Sequence, residues 1–148
     1  MSAVLKPQPA FRPLVERDLP AVMAIERDLY EYPWSPGNFR DSLAAGYSCW
    51  AMAAPHGLLG YAVLMLGAGE AHLLNLSIAR DAQRRGHGTR LLRHLLGVTR
   101  RYGATRLFLE VRRRTSPAAR STREAASPRS ACAGATTRRA RDARMRWC

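Results

Sequence analysis

The sequence predicts an α/β fold, a mixed central sheet with flanking helices, and three observations support it. Short apolar runs bounded by glycine and proline alternate with stretches of helical periodicity. In the first half, two such runs are joined by a short turn, as in an antiparallel hairpin. Further on, residues 70–96 read as a buried strand, a basic glycine turn and an amphipathic helix. The predicted order of elements is β, α, α, β, β, β, α, β.

Each element has a local signal. Asp18 and Ser35 are placed to cap two helices, the first with an apolar face formed by Leu19, Val22, Met23, Ile25 and Leu29. Pro13 puts the first strand at a sheet edge or bulge. Leu91, Leu92, Leu95 and Leu96 share one face of the third helix, which ends at Tyr102-Gly103. The predicted strands are residues 11–15, 47–54, 58–66, 72–79 and 105–112.

Length and cysteine content limit the class of protein. A chain of 148 residues suits a single domain. No apolar run approaches the roughly 18 residues of a membrane span, and the N-terminus lacks a signal pattern, so we expect a cytoplasmic protein without membrane contact. The three cysteines lack metal-ligand spacing and their odd number argues against a disulfide framework. We therefore expect no metal, and a buried, inert Cys49 within its strand.

The basic charge is concentrated in the C-terminal segment. The chain carries a net charge of +13. Residues 1–112 hold 14 Lys/Arg against 9 Asp/Glu, whereas residues 113–148 hold 10 against 2. Whole-chain charge, which would otherwise suggest nucleic acid, is therefore a poor guide to the function of the first 112 residues.

The turn of residues 83–88, QRRGHG, has the properties of an anion site. Two glycines let a ligand approach the backbone, and the helix that follows offers unpaired N–H groups and the positive end of its dipole. Arg84 and Arg85 add charge, and the alternative for both is an ordinary solvated turn. A dinucleotide-binding Rossmann turn is disfavoured because Leu91 stands where its third glycine belongs, and no Gly-Lys-Ser/Thr follows as in a P-loop.

The strand LLNLSIA, the turn and helix QRRGHGTRLL, and the strand LFLEVR together resemble the GCN5-related N-acetyltransferase (GNAT) family. The segments Pro33-Trp34-Ser35, Gly60-Tyr61-Ala62 and Leu109-Glu110-Val111-Arg112 are most similar to bacterial members that acetylate the N-terminal alanine of a small-subunit ribosomal protein. The resemblance covers about residues 11–112. It implies the GNAT fold, acetyl-CoA as cosubstrate, and the N-terminus of a ribosomal protein as partner, with a monomeric enzyme and no specific nucleic acid.

The resemblance also implies a site. The pantetheine would pair with the backbone of Leu76, Ser77 and Ile78, while the side chains of Leu76 and Ile78 are equally suited to the core. The pyrophosphate would lie on the backbone N–H groups of the turn. These turn residues are Arg84, Arg85, Gly86, His87, Gly88 and Thr89, with the His87 side chain exposed.

Glu110 stands where these enzymes carry a general base that takes the proton of the attacking amine. The alternative is a carboxylate at the end of a strand, paired with Arg106 or Arg112. The backbone near Ile78 would stabilise the developing oxyanion. Tyr32 and Trp34 are candidates for lining the peptide groove, although an aromatic residue in a helix–helix loop is as often a packing residue.

Residues 113–148 do not continue the family pattern. Met145 and Trp147 are their only large apolar side chains, so a basic tail that is unstructured or weakly helical is expected. Family members have a P-S-N turn, a helix with L-Y-E that carries the acid tyrosine, and two closing strands with Y-Y-P. Read one register over, codons for residues 112–115, 119–123 and 135–138 permit Pro-Ser-Asn, Ala-Leu-Tyr-Glu and Tyr-Tyr-Pro. We therefore expect a frame shift near Arg112, by mutation or sequencing error.

The 148-residue chain is then a GNAT domain of residues 1–112 that lacks its C-terminal helix and closing strands, followed by an out-of-frame segment, and little acetyl transfer is expected. Two other functions remain open. One is a GNAT enzyme with another protein N-terminus or a small amine as acceptor. The other is a basic ribosome- or RNA-binding module without catalysis, whose arginine runs without interleaved aromatics suit phosphate contact.

Overall fold

The computed structural model describes residues 8–109, 136–137 and 143–146. Single-turn 3-10 helices at Glu16–Asp18 and Arg80–Ala82 precede the first and third α-helices. The helices are α1 (Leu19–Leu29), α2 (Pro36–Ala44) and α3 (His87–Arg101). The strands are β1 (Ala10–Pro13), β2 (Ser48–Ala54), β3 (Gly57–Gly67), β4 (Glu70–Ile78), β5 (Arg106–Leu109), β6 (Thr136–Thr137) and β7 (Ala143–Arg146).

The strands form one mixed sheet in the order β1-β2-β3-β4-β5-β7-β6. Only β4 and β5 run parallel, and every other neighbouring pair of the described strands is antiparallel. The β3–β4 hairpin turns through Ala68 and Gly69, both with positive φ, as its tight turn requires. The predicted α/β fold with an antiparallel first half is confirmed.

Helices cover both faces of the sheet because the side chains of each strand alternate. Ala62 and Leu64 of β3 belong to the core under α3, together with the four leucines predicted for that helix. Tyr61 and Val63 point the opposite way and pack with α1 and with Phe39 of α2. The strands between two helical layers are buried on both faces, which explains their continuous apolar runs.

The two predicted helix caps have different outcomes. Ser35 caps α2 as predicted, accepting a hydrogen bond from Asn38 N at 3.2 Å. The prediction for Asp18 is wrong: its side chain makes no capping bond to α1. The carboxylate instead accepts from the Val15 N–H at 3.0 Å and from both terminal nitrogens of Arg12 at 2.7 Å. Asp18 already lies in a helical turn, so its side chain points back toward β1.

The predicted C-terminal segment is described only in part. Residues 136–137 and 143–146 form β6 and β7, and β7 pairs antiparallel with β5. The rest of residues 113–148 lies outside the described residues, as do Glu110 and Arg112. The shift of reading frame, the boundary at 112 and the missing closing elements therefore stay predictions.

Candidate active site

The first component of the site is the C-terminal part of β4, residues 74–78. The described residues of β5 pair with β4 from Glu70 to Leu73, and β4 continues to Ile78. Next to the last of these pairs, Leu73 pairs with Leu64 of β3 and Asn75 with Val63, so Leu74 is an extra, bulged residue. Among the described strands, nothing pairs with residues 74–78 on the β5 side. An extended ligand can hydrogen-bond to backbone there.

The second component is the turn between β4 and α3. Arg84 and Gly86 both adopt positive φ, 63° and 79°, and Gly86 is the N-cap of the helix. The side-chain amide of Gln83 donates to the Ile78 carbonyl at 3.0 Å, which fixes the turn to the end of β4. Arg84 and Arg85 are exposed. The predicted strand and turn residues are therefore adjacent, and the exposed guanidinium groups stand beside a helix N-terminus.

His87 differs from its prediction. The side chain is half-buried, and its Nδ1 is inaccessible and has no hydrogen-bond partner among the described atoms. Burial lowers the pKa of His87, and the nearby charges of Arg90 and Arg85 lower it further. A lowered pKa favours the neutral imidazole, so His87 at the start of α3 contributes little charge to the turn.

Close packing of β3 fixes the position of the β4 end. A Cβ at Gly60 would lie 2.6 Å from the Ser77 carbonyl oxygen and 2.5 Å from Ile78 Cδ1. The Ile78 side chain belongs to the core under α3, and Ser77 is buried on the other face. Any side chain at Gly60 would push away the backbone that the proposed pantetheine contacts use.

A buried carboxylate lies behind this strand and was not predicted. Glu26 of α1 is 1% exposed. Its Oε1 accepts hydrogen bonds from the Tyr61 hydroxyl and from Asn75 Nδ2, the latter at 2.9 Å, and its Oε2 accepts from the Trp34 N–H at 2.7 Å. Burial, and then the bond to Glu26, raise the pKa of Tyr61 above its ordinary value. A glutamate within an apolar helix face and polar residues within apolar strands were the available sequence signals.

The loop between α1 and α2 is fixed at both ends. The Tyr30 hydroxyl lies 2.8 Å from Ser77 Oγ, which donates to Asn75 Oδ1 at 3.1 Å. The Trp34 ring packs on Phe39, with ring centroids 5.3 Å apart, so the packing alternative applies to this residue. Tyr32 is 77% exposed and remains available to an acceptor.

The described residues contain no cluster of His, Cys, Asp and Glu suited to a metal ion, and none of their helices is long and apolar enough to cross a bilayer. Cys49 is buried as predicted, and burial raises the pKa of its thiol to about 11. The thiol is therefore protonated and unreactive at pH 7.

Residues 19–123 match the acetyltransferase (GNAT) family model. The chain belongs to this family. The match extends past Arg112, so the boundary of the GNAT domain is not fixed by it. The observed mixed sheet, with helices on both faces, is the GNAT fold.

Curated and solved proteins show the same relationship. The chain is 35% identical over 95 residues to the [ribosomal protein bS18]-alanine N-acetyltransferase of Salmonella typhimurium, covering 64% of each protein. The chain thus spans under two thirds of that relative's length. The crystal structure of the ribosomal-protein-S18-alanine N-acetyltransferase from Escherichia coli has a TM-score of 0.75 at 24% identity, over 93% of this chain and 90% of that one.

A third protein shares the fold at lower identity. The PaiA N-acetyltransferase from Thermoplasma acidophilum, solved in complex with coenzyme A, has a TM-score of 0.76 at 15% identity. The comparison covers 95% of this chain and 100% of that one. This GNAT architecture therefore tolerates wide sequence divergence.

Proposed function

We propose that this GNAT protein uses acetyl-CoA to acetylate the N-terminal alanine of ribosomal protein bS18, in the cytoplasm. The observation that carries the proposal is the bulged C-terminal part of β4, which leads directly into the left-handed turn at the start of α3. The names of the curated relatives support the choice of acceptor. The remaining alternative within the family is another protein N-terminus or a small amine as acceptor.

The geometry suits an extended thioester cosubstrate. Backbone at Leu76, Ser77 and Ile78 would pair with the amides of the pantetheine. The backbone N–H groups of residues 84–89 would face the pyrophosphate, because this turn lies at the positive end of the α3 dipole. Arg84 and Arg85 are free to approach the phosphates from solvent.

The reaction is a direct transfer. The amine nitrogen forms a bond to the thioester carbon, the C–S bond breaks, the amine gives up a proton, and the thiolate of coenzyme A gains one. Glu110 is our proposed general base, and such a base typically contributes about 10²–10⁴-fold to the rate. It is four residues beyond Arg106, where β5 begins alongside β4.

Mass spectrometry tests the proposal. The 148-residue chain and a version in which residues 113–148 are replaced by the alternative reading frame are incubated with acetyl-CoA and an N-terminal bS18 peptide beginning with alanine. We expect one acetyl group on the α-amine with the frame-restored version, little transfer with the 148-residue chain, and none on the same peptide with a blocked N-terminus. Transfer by neither protein, or transfer only to lysine, would contradict the proposal.

The catalytic role of Glu110 is tested separately within the same assay. Glu110→Gln should lower kcat while leaving the Kd for acetyl-CoA nearly unchanged, because the cosubstrate contacts are made by β4 and the turn. Unchanged turnover would show that another group takes the proton.

A further inference from the structure

Glu26 connects three separate parts of the molecule. Its carboxylate lies on α1, yet its hydrogen-bond donors belong to β3 (Tyr61), β4 (Asn75) and the α1–α2 loop (Trp34). No salt bridge among the described residues includes it. The three donors therefore replace the water that a carboxylate loses on burial.

This arrangement is costly if its only purpose is to fill the core. A buried carboxylate needs every bond it can make, and apolar side chains of similar volume often serve as well or better. The neighbouring positions of the same helix face are Val22, Met23 and Ile25, all buried. What the carboxylate offers that an apolar side chain cannot is directional contact with the Trp34 backbone.

The loop that Glu26 holds passes beside the cosubstrate strand. At one end Tyr30 contacts Ser77, and at the other end Trp34 is bound to the carboxylate. The residues between these two anchors, Glu31, Tyr32 and Pro33, are exposed. The two anchors thus determine how an exposed aromatic segment is presented near the β4 bulge.

We propose that Glu26 is a positioning residue for the acceptor peptide, acting through the Trp34 N–H on the α1–α2 loop. The inference rests on the proposed function, which places the acetyl group along β4. Loss of the carboxylate acceptor would release the loop and weaken peptide binding. Acetyl-CoA binding would persist, since backbone pairing with β3 holds β4 throughout.

The test uses the full chain and requires no turnover. Calorimetry gives the Kd of the bS18 N-terminal peptide for the protein saturated with coenzyme A, and the Kd of acetyl-CoA alone. We expect Glu26→Gln to weaken peptide binding roughly tenfold, the scale of one hydrogen bond to a charged group. We expect the Kd for acetyl-CoA to change less than about twofold, within the noise of such contact energies.

Two further variants separate positioning from general destabilisation. Asp18→Asn removes the pair with Arg12 at the opposite end of α1 and serves as the matched control, with peptide affinity unchanged. Tyr30→Phe removes only the Ser77 contact, should weaken peptide binding in the same direction as Glu26→Gln, and carries the test if Glu26→Gln does not fold. Equal weakening in Asp18→Asn and Glu26→Gln would overturn the inference.

Hydrogen exchange at the Trp34 amide distinguishes failure of the inference from failure of the proposed function. We expect slow exchange in the wild type and in Asp18→Asn, and faster exchange in Glu26→Gln. Peptide binding with unchanged Trp34 exchange in Glu26→Gln would overturn the inference alone. Absence of peptide binding to the wild type would overturn the proposed acceptor and with it the role of Glu26 in binding that acceptor.

Discussion

Gly60 shows how a single residue on β3 determines the shape of the neighbouring strand. Gly60→Ala would place a methyl group against the Ser77 carbonyl oxygen at 2.6 Å, and a backbone atom cannot rotate away as a side chain can. We expect a loss of about 1–3 kcal/mol in the free energy of unfolding, the usual cost of overpacking. Chemical denaturation measures it.

Gly97 provides the matched control for Gly60. It lies within α3, and an added Cβ would meet nothing within 4 Å. Gly97→Ala should stabilise the protein by about 0.5–1 kcal/mol because alanine has the higher helix propensity. Equal effects of the two substitutions would show that the β3–β4 contact is not tight.

His94 is expected to lower the stability of the fold at acidic pH. Its ring lies between Phe11 and Trp50, with ring centroids 4.4 and 4.3 Å away, and its Nε2 is buried without a partner among the described atoms. Burial, and secondarily Arg101, lower its pKa. The unfolded chain therefore binds the proton more tightly than the folded one. Stability is complete above the unfolded pKa of about 6.5 and falls as the pH drops below it.

The comparison that tests His94 uses two neutral substitutions. Thermal unfolding is followed between about pH 4 and about pH 8, because this interval brackets the unperturbed histidine pKa of about 6.5. His94→Gln should flatten the decline below that range, whereas His56→Gln, in the exposed β2–β3 turn, serves as the control. Identical pH profiles for the wild type and His94→Gln would contradict this assignment.

At the residue scale, the burial of apolar side chains was predictable from the sequence, whereas the burial of polar side chains was not. The four leucines of α3 follow from spacing alone. The burial of Glu26 depends on donors that lie eight, 35 and 49 residues away in the chain. Asn75 and Ser77 are polar residues in a mostly apolar strand, but sequence spacing does not show which side chains they contact.

At the scale of elements, the positions of glycine and proline predicted where strands end. They did not predict the local irregularities of the backbone. Hairpins and helix ends fell close to the predicted residues. The single-turn helix at Arg80–Ala82 and the bulge at Leu74 were not predicted. Both depend on pairing with β3 and packing of neighbouring elements, which local propensity does not encode.

The N-terminus of α3 gives a prediction about cosubstrate binding. Gly86→Ala puts a Cβ on a residue with φ of 79°, at a cost of about 1–2 kcal/mol unless the turn relaxes. Relaxation would redirect the N–H groups proposed to hold the pyrophosphate. We expect the Kd for acetyl-CoA to rise about tenfold, since 1.4 kcal/mol corresponds to a factor of ten. Calorimetry measures this change.

The control for Gly86 is another left-handed glycine. Gly69, with φ of 75°, lies in the β3–β4 hairpin at the opposite end of β4. Gly69→Ala introduces the same backbone strain and should lower stability without altering acetyl-CoA affinity. Equal loss of affinity in both variants would show that the turn has no specific role in binding.

At the scale of the whole molecule, the arrangement of sheet and helices was predictable because each level of the sequence agrees with it. Strand pattern, turn residues and helical periodicity all indicate a sheet between two helical layers. The pairing of β5 with β7 was not predictable in the same way. β7 lies within residues 113–148, where the apolar pattern is absent.

The C-terminal segment, residues 113–148, has only Met145 and Trp147 as large apolar side chains. If the reading frame shifts near Arg112, replacing residues 113–148 by the alternative frame restores large apolar residues beside β5, and burial contributes about 25 cal/mol per Å² of apolar surface. We expect the frame-restored protein to have a higher Tm, tighter acetyl-CoA binding and faster acetyl transfer than the 148-residue chain. A version with residues 113–148 in scrambled order is the control. Resequencing the gene at that codon decides between mutation and sequencing error, and equal stability and activity of all three proteins would refute the shift.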